Sequence, residues 1–161
     1  MEATFRAEQL LRREAFYADH GRWRDWLALY LENATYWVPA WQSETQLVTD
    51  PLTEVSILYA DSRRELEHRI WRFTSGESPA SYPLPRTNHL VSNVRVLSET
   101  ADTVVAASNW LTQCYRNKEQ FFYGGYYEHT LVRTADGFKI RSKKVVLLND
   151  VVLGYVDVYH L

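Results

Sequence analysis

The chain has 161 residues and a mass of 18.9 kDa, which suits one domain, since domains cluster near about 100–150 residues. Hydrophobic residues make up 46% and charged residues 24%, proportions that exclude a disordered chain. A net charge of −2 and a pI near 6.2 exclude a whole-molecule basic footprint, so nucleic acid is not an expected partner.

Cys114 is the single cysteine, so neither an intramolecular disulfide nor a multi-thiolate metal cage can form. The expected compartment is cytoplasmic. Residues 1–6 meet charge at once and carry no apolar stretch, and no run approaches the roughly 18 apolar residues of a membrane span, so export and insertion are not expected. Six Trp, eleven Tyr and six Phe exceed what a small core needs and point to a protein–protein surface.

Residues 7–18 space Ala7, Leu10, Leu11, Ala15 and Ala18 as an amphipathic helix, with Glu8, Arg12 and Arg13 opposite and Gly21 as its end. Trp23, Trp26, Leu27 and Tyr30 follow at i, i+3, i+4 and i+7, a second short helix. Thr35–Val38 reads as a short strand stopped by Pro39, at a sheet edge, and residues 40–53 read as a loop. Ser62-Arg63-Arg64-Glu65 has the spacing of a capping box that starts a third helix, with Leu66, Ile70 and Phe73 on its apolar side. From residue 90 the pattern turns to strands: 91–97, 103–115, 119–134, 138–148 and 151–159, joined by short turns. Helices first and hairpin-linked strands last predict an α+β domain, a strongly curved antiparallel sheet covered by the N-terminal helices.

Five histidines are the natural starting point for catalysis. Glu128 and His129 are adjacent on a strand and point to opposite faces, so they cannot share a metal ion. His20, His68 and His160 have plain readings at a helix end, on a solvated helix face and at the chain terminus. His89 stands apart, because Arg86-Thr87-Asn88-His89 concentrates polar groups where the chain enters the sheet; the plainer reading is that these groups satisfy loop backbone or bind a neighbouring chain. Lys139, Arg141 and Lys143 alternate on one strand and read as a solvated basic face, while Gly124-Gly125 predicts a bulge or a close backbone approach. No nucleophile elbow, phosphate-binding glycine loop or facial-triad spacing occurs. The residues by themselves name no catalytic, cofactor or metal set, and His89 stays open.

Several segments together resemble the small (β) subunit of aromatic-ring-hydroxylating dioxygenases, the Rieske non-haem iron oxygenases. They are Asp25-Trp26-Leu27-Ala28-Leu29-Tyr30, Tyr36-Trp37-Val38-Pro39-Ala40-Trp41, Leu66-Glu67-His68-Arg69-Ile70, Pro85-Arg86-Thr87-Asn88-His89 with Ser92-Asn93, Lys144–Asp150 and Val156–Leu161. They follow the family's order along nearly the whole chain, and the terminal Val-Asp-Val-Tyr-His-Leu is most similar to the benzoate, toluate and anthranilate branch. The resemblance implies a cone-shaped α+β fold like that of ketosteroid isomerase and scytalone dehydratase, and a non-catalytic structural role. It implies a partner α subunit bearing a Rieske [2Fe–2S] cluster and a mononuclear non-haem iron, three α assembling with three β. The holoenzyme would use O₂ and electrons from an NADH-linked reductase to install a cis-diol. Trp37, Trp41, Arg86, His89, Phe121, Tyr123 and Tyr126 are the expected subunit contacts. The alternative is a free-standing dehydratase or isomerase of the same cone fold, with His89 as base, or His68 paired with Asp25.

Overall fold

The computed structural model describes residues 2–79, 81–149 and 154–161. Helix α1 runs Glu2–Asp19, a turn earlier than predicted because Ala3 extends the buried stripe of Ala7, Leu10, Leu11 and Ala18. The chain reverses at Gly21, whose φ of 63° closes the helix while Arg22 N donates to Tyr17 O at 2.8 Å. Helix α2, Trp23–Leu27, is shorter than its spacing suggested, because Tyr30 already opens strand β1, Tyr30–Pro39.

Strand β1 departs most from expectation. It is ten residues long and lies inside the sheet, between β2 (Ser56–Ala60) and β6 (Gly137–Leu147). Pro39 falls where the β1–β2 register shifts, so its missing N–H costs the ladder nothing. Helix α3, Arg63–Thr74, buries Leu66, Ile70 and Phe73 as predicted, but its capping box is not formed. The Ser62 side chain makes no cap bond, and Glu65 instead accepts from Asp61 N at 3.0 Å.

Strands β3 (Arg86–Glu99), β4 (Thr103–Arg116), β5 (Glu119–Thr134) and β6 form an antiparallel meander. Asn117-Lys118, both at positive φ, make the two-residue β4–β5 turn that matches strand twist. Strand β6 pairs with β1 in parallel, so the sheet is mixed and not wholly antiparallel; its order is β2-β1-β6-β5-β4-β3, curved and unclosed. Of the strand expected over 151–159, residues 151–153 lie outside the described residues, 154–157 are irregular, and Val158–His160 is a 3₁₀ turn. The helices and residues 156–161 pack on one side of the sheet, around Trp26, Tyr30, Tyr36, Leu66, Leu131, Ile140 and Leu147.

Candidate functional site

Two carboxylates of α1 enter this interior. Glu14 lies on the helix's buried face, and its Oε1 accepts from Lys143 Nζ at 2.9 Å and from the Tyr30 hydroxyl. His129 Nε2 stands 3.4 Å from Glu14 Oε2. The Lys143 ammonium also lies over the rings of Tyr127 and Tyr36, 4.1 and 5.3 Å from their centroids. Burial alone would raise the Glu14 carboxyl, but Lys143, His129 and Tyr30 outweigh it and hold Glu14 well below the usual carboxylate range. Burial draws Lys143 and His129 down, with Glu14 opposing in both cases.

Lys143 reaches the core because β6 carries one extra residue. Thr130 pairs with Ser142 and Leu131 with Ile140, so Arg141 has no opposite number and the alternation changes phase. Ile140 then points inward, and so do Lys143, Val145 and Leu147. The expected solvated basic face therefore loses Lys143 to the core. No local sequence signal marks that change. Glu14 did carry one, since it sits at i+3 from Leu11 and i−4 from Ala18 on the apolar stripe.

The second carboxylate, Asp19, accepts from Thr87 Oγ1 at 2.9 Å, from His89 N at 2.9 Å and from His89 Nδ1 at 2.5 Å. Burial would raise Asp19, and these bonds reverse that and lower it. At the other end Asp157 is fully buried against Arg69 and Arg72, 3.4 and 3.2 Å away, and caps the turn through Val158 N at 2.9 Å. His160 accepts from Asp157 N at 3.2 Å and is itself buried, which, with His89 and Arg116 nearby, pushes its pKa down to about 3. Residues 156–161 thus plug the cone, and Tyr36 donates to Leu161 O at 3.3 Å.

Beneath α1 lies a void of about 10 Å³ lined by Leu11, Glu14, Ala18, His89, Tyr127 and Lys143, and at the mouth of the cone an open cleft of about 640 Å³ is lined by Arg116, Phe121, Tyr123, Tyr155 and His160. Binding sites for small organic molecules run to about 300 Å³ and more. His89, the base of the alternative dehydratase or isomerase reading, faces only the void of about 10 Å³, too small for an organic substrate. His68 is exposed on α3 and Asp25 is paired with Arg22 at 2.8 Å on α2, and no contact joins His68 to Asp25 among the described residues. The described residues include no group of three or more His, Cys, Asp or Glu able to hold a metal ion, and no described helix is long and apolar enough to cross a membrane.

The expected contact residues separate by face. Tyr123 and His89 are turned into the core, and Phe121 is half-buried against Tyr123 and His160 at the mouth of the cone. Trp37, Arg86 and Tyr126 lie on the opposite, outer side, and Trp41 follows β1 in the loop beyond Pro39. Trp37 donates to Ser56 Oγ at 2.8 Å beneath the Lys144 ammonium, Trp41 donates to Leu147 O at 2.7 Å, and Arg86 stacks on Tyr115 at 4.4 Å. On this outer face Leu90, Leu111, Phe122 and Tyr126 are each more than 40% exposed, and Leu90 pairs with Leu111 across β3 and β4. Sequence reading missed both leucines, because nothing local says which side of a strand is covered.

A family model described as the ring hydroxylating beta subunit matches residues 13–154. The chain belongs to that family. It is 41% identical over 149 residues, 92% of this chain and 90% of the relative, to the small subunit of 2-halobenzoate 1,2-dioxygenase from Burkholderia cepacia. It is 36% identical to the benzoate 1,2-dioxygenase β subunit of Acinetobacter baylyi, over 95% of this chain and 90% of the relative. The crystal structure of a benzoate 1,2-dioxygenase β subunit from Burkholderia mallei superposes with a TM-score of 0.81 at 32% identity, covering 96% of this chain and 95% of that one. A TM-score of 0.62 to an NTF2-like protein with a cystatin-like fold from Novosphingobium aromaticivorans, at 17% identity over 91% of this chain and 82% of that one, shows the cone fold alone. The chain thus has the cone fold, with its interior beneath α1 occupied by its own side chains.

Proposed function

We propose that this chain is the structural β subunit of a multicomponent dioxygenase that cis-dihydroxylates an aromatic carboxylate such as benzoate. The observation that carries this reading is the match of residues 13–154 to the ring hydroxylating beta subunit family. The Rieske [2Fe–2S] cluster and mononuclear iron belong on an α subunit, since a single buried cysteine and no three-ligand cluster among the described residues fit neither centre. Three α assemble with three β in the cytoplasm, and an NADH-linked reductase feeds electrons to the α subunit. Trp37, Trp41, Arg86 and Tyr126, with Leu90, Leu111 and Phe122, form the contact surface, and Phe121 contributes from the mouth of the cone. Support comes from an aromatic, Arg-bearing outer face whose central positions Leu90, Leu111, Phe122, Gly124 and Tyr126 carry no charge.

Co-expression with a candidate α subunit, followed by light scattering and iron analysis, tests the reading. A mixed hexamer that holds iron, beside an iron-free isolated chain, is the expected result. A chain that ignores every α subunit of the benzoate type overturns it.

A further inference from the structure

We propose that the void beneath α1 is a binding site for one water molecule, which joins the Asp19–His89 pair to the Glu14–Lys143 pair. Asp19 Oδ1 is an acceptor, so the 2.5 Å contact makes His89 Nδ1 the donor. The other ring nitrogen, His89 Nε2, is buried without a protein partner, and His89 lines the void. Lys143 has three N–H groups and gives one to Glu14. Both Lys143 and Glu14 line the same space. A buried water requires two to four polar partners and about 10–15 Å³ of free volume. The void offers about 10 Å³, a nitrogen with no partner, an ammonium with N–H groups to give, and a carboxylate with lone pairs to spare.

The remaining walls keep the site water-sized. Leu11, Ala15, Ala18 and Val91 are apolar walls, and Trp26, Tyr127 and Leu161 complete the lining. An aromatic ring needs on the order of 150 Å³, so the site admits water and no organic ligand. The bridge spans the cone. Glu14 is gripped from β6 and β1, Asp19 from the edge strand β3, and both carboxylates belong to α1. The water makes two separate clamps on one helix into a single hydrogen-bonded unit.

Two measurements on the isolated full chain test this. A high-resolution crystal structure is expected to show one density peak within hydrogen-bond distance of His89 Nε2 and of Lys143 Nζ or a Glu14 oxygen. A cycle of Glu14→Gln and Asp19→Asn, read by urea unfolding, is expected to give a double-variant unfolding constant that departs from additivity by roughly threefold or more. Filling the void with Ala18→Val, or with Ala15→Val where the first does not fold, is expected to abolish both the peak and the coupling. An empty void, a protein atom on His89 Nε2, or a coupling unchanged by the filling substitution overturns the proposal.

Discussion

Glu14 illustrates how a charge is kept inside an apolar interior. Its carboxylate is held by an ammonium, a phenol and an imidazole drawn from three strands, and removing one holder strands the charge. Lys143→Met is expected to cost about 3–5 kcal/mol in urea unfolding, whereas Glu14→Leu combined with Lys143→Met recovers most of that loss. His160 sets the acid limit. Its pKa is about 3 in the fold against about 6.5 unfolded, so between those values the unfolded chain binds the extra proton and stability falls as pH falls. The slope is about 1.4 kcal/mol per pH unit, and burial of His129 adds in the same direction. Unfolding free energies measured from pH 7 to pH 4 are expected to decline less steeply in His160→Asn, whose side-chain oxygen still accepts from Asp157 N. Cys114, pushed up to about 12 by burial with Asp19 adding to it, is expected to resist a thiol reagent at pH 8 until the chain unfolds.

The strands explain how such groups come together. Arg141 as an extra residue in β6 sends Lys143 inward, and Gly125 in β5 lets β6 approach. A Cβ on Gly125 would lie 1.9 Å from Val146 O, a backbone atom of the neighbouring strand, while one on Gly124 would meet the movable Leu111 Cδ1 at 3.1 Å. Gly125→Ala is therefore expected to lose about 3 kcal/mol or more, and Gly124→Ala to stay within about 1 kcal/mol of the parent. Denaturation curves of the two variants decide this, and equal losses would contradict it. The Gly-Gly pair thus reports a close backbone approach, not a bulge; the register shift falls at Thr130/Leu131 instead.

For the whole molecule, the cone is filled from both ends: α1 brings carboxylates from one side, and residues 156–161 bring Asp157, Tyr159, His160 and Leu161 from the other. In the proposed reading the outer face of the sheet is the surface that meets the α subunit. Leu111→Asp places a charge at its uncharged centre and Tyr126→Ala removes an aromatic anchor. Each is expected to weaken assembly with the α subunit by one to a few kcal/mol in co-purification or sedimentation, with the circular dichroism of the isolated chain unchanged. Assembly as tight as in the parent would move the contact surface elsewhere.

Periodicity by itself determined α1, α3 and the four long strands, because each carries its apolar residues at the spacing of its own backbone. The ordered motifs from Asp25 to Leu161 carried the family as well. Tertiary structure alone decided what is long-range: β1 lies inside the sheet and parallel to β6, a pairing more than 100 residues distant in sequence. It also decided that Tyr123 and His89 serve the core while Leu90 and Leu111 face outward, since alternation marks two faces of a strand without saying which is covered. The interior cluster was legible only in part. Glu14 broke an apolar stripe in plain view, whereas Lys143 reached it through a phase change that exists only once β5 and β6 are paired.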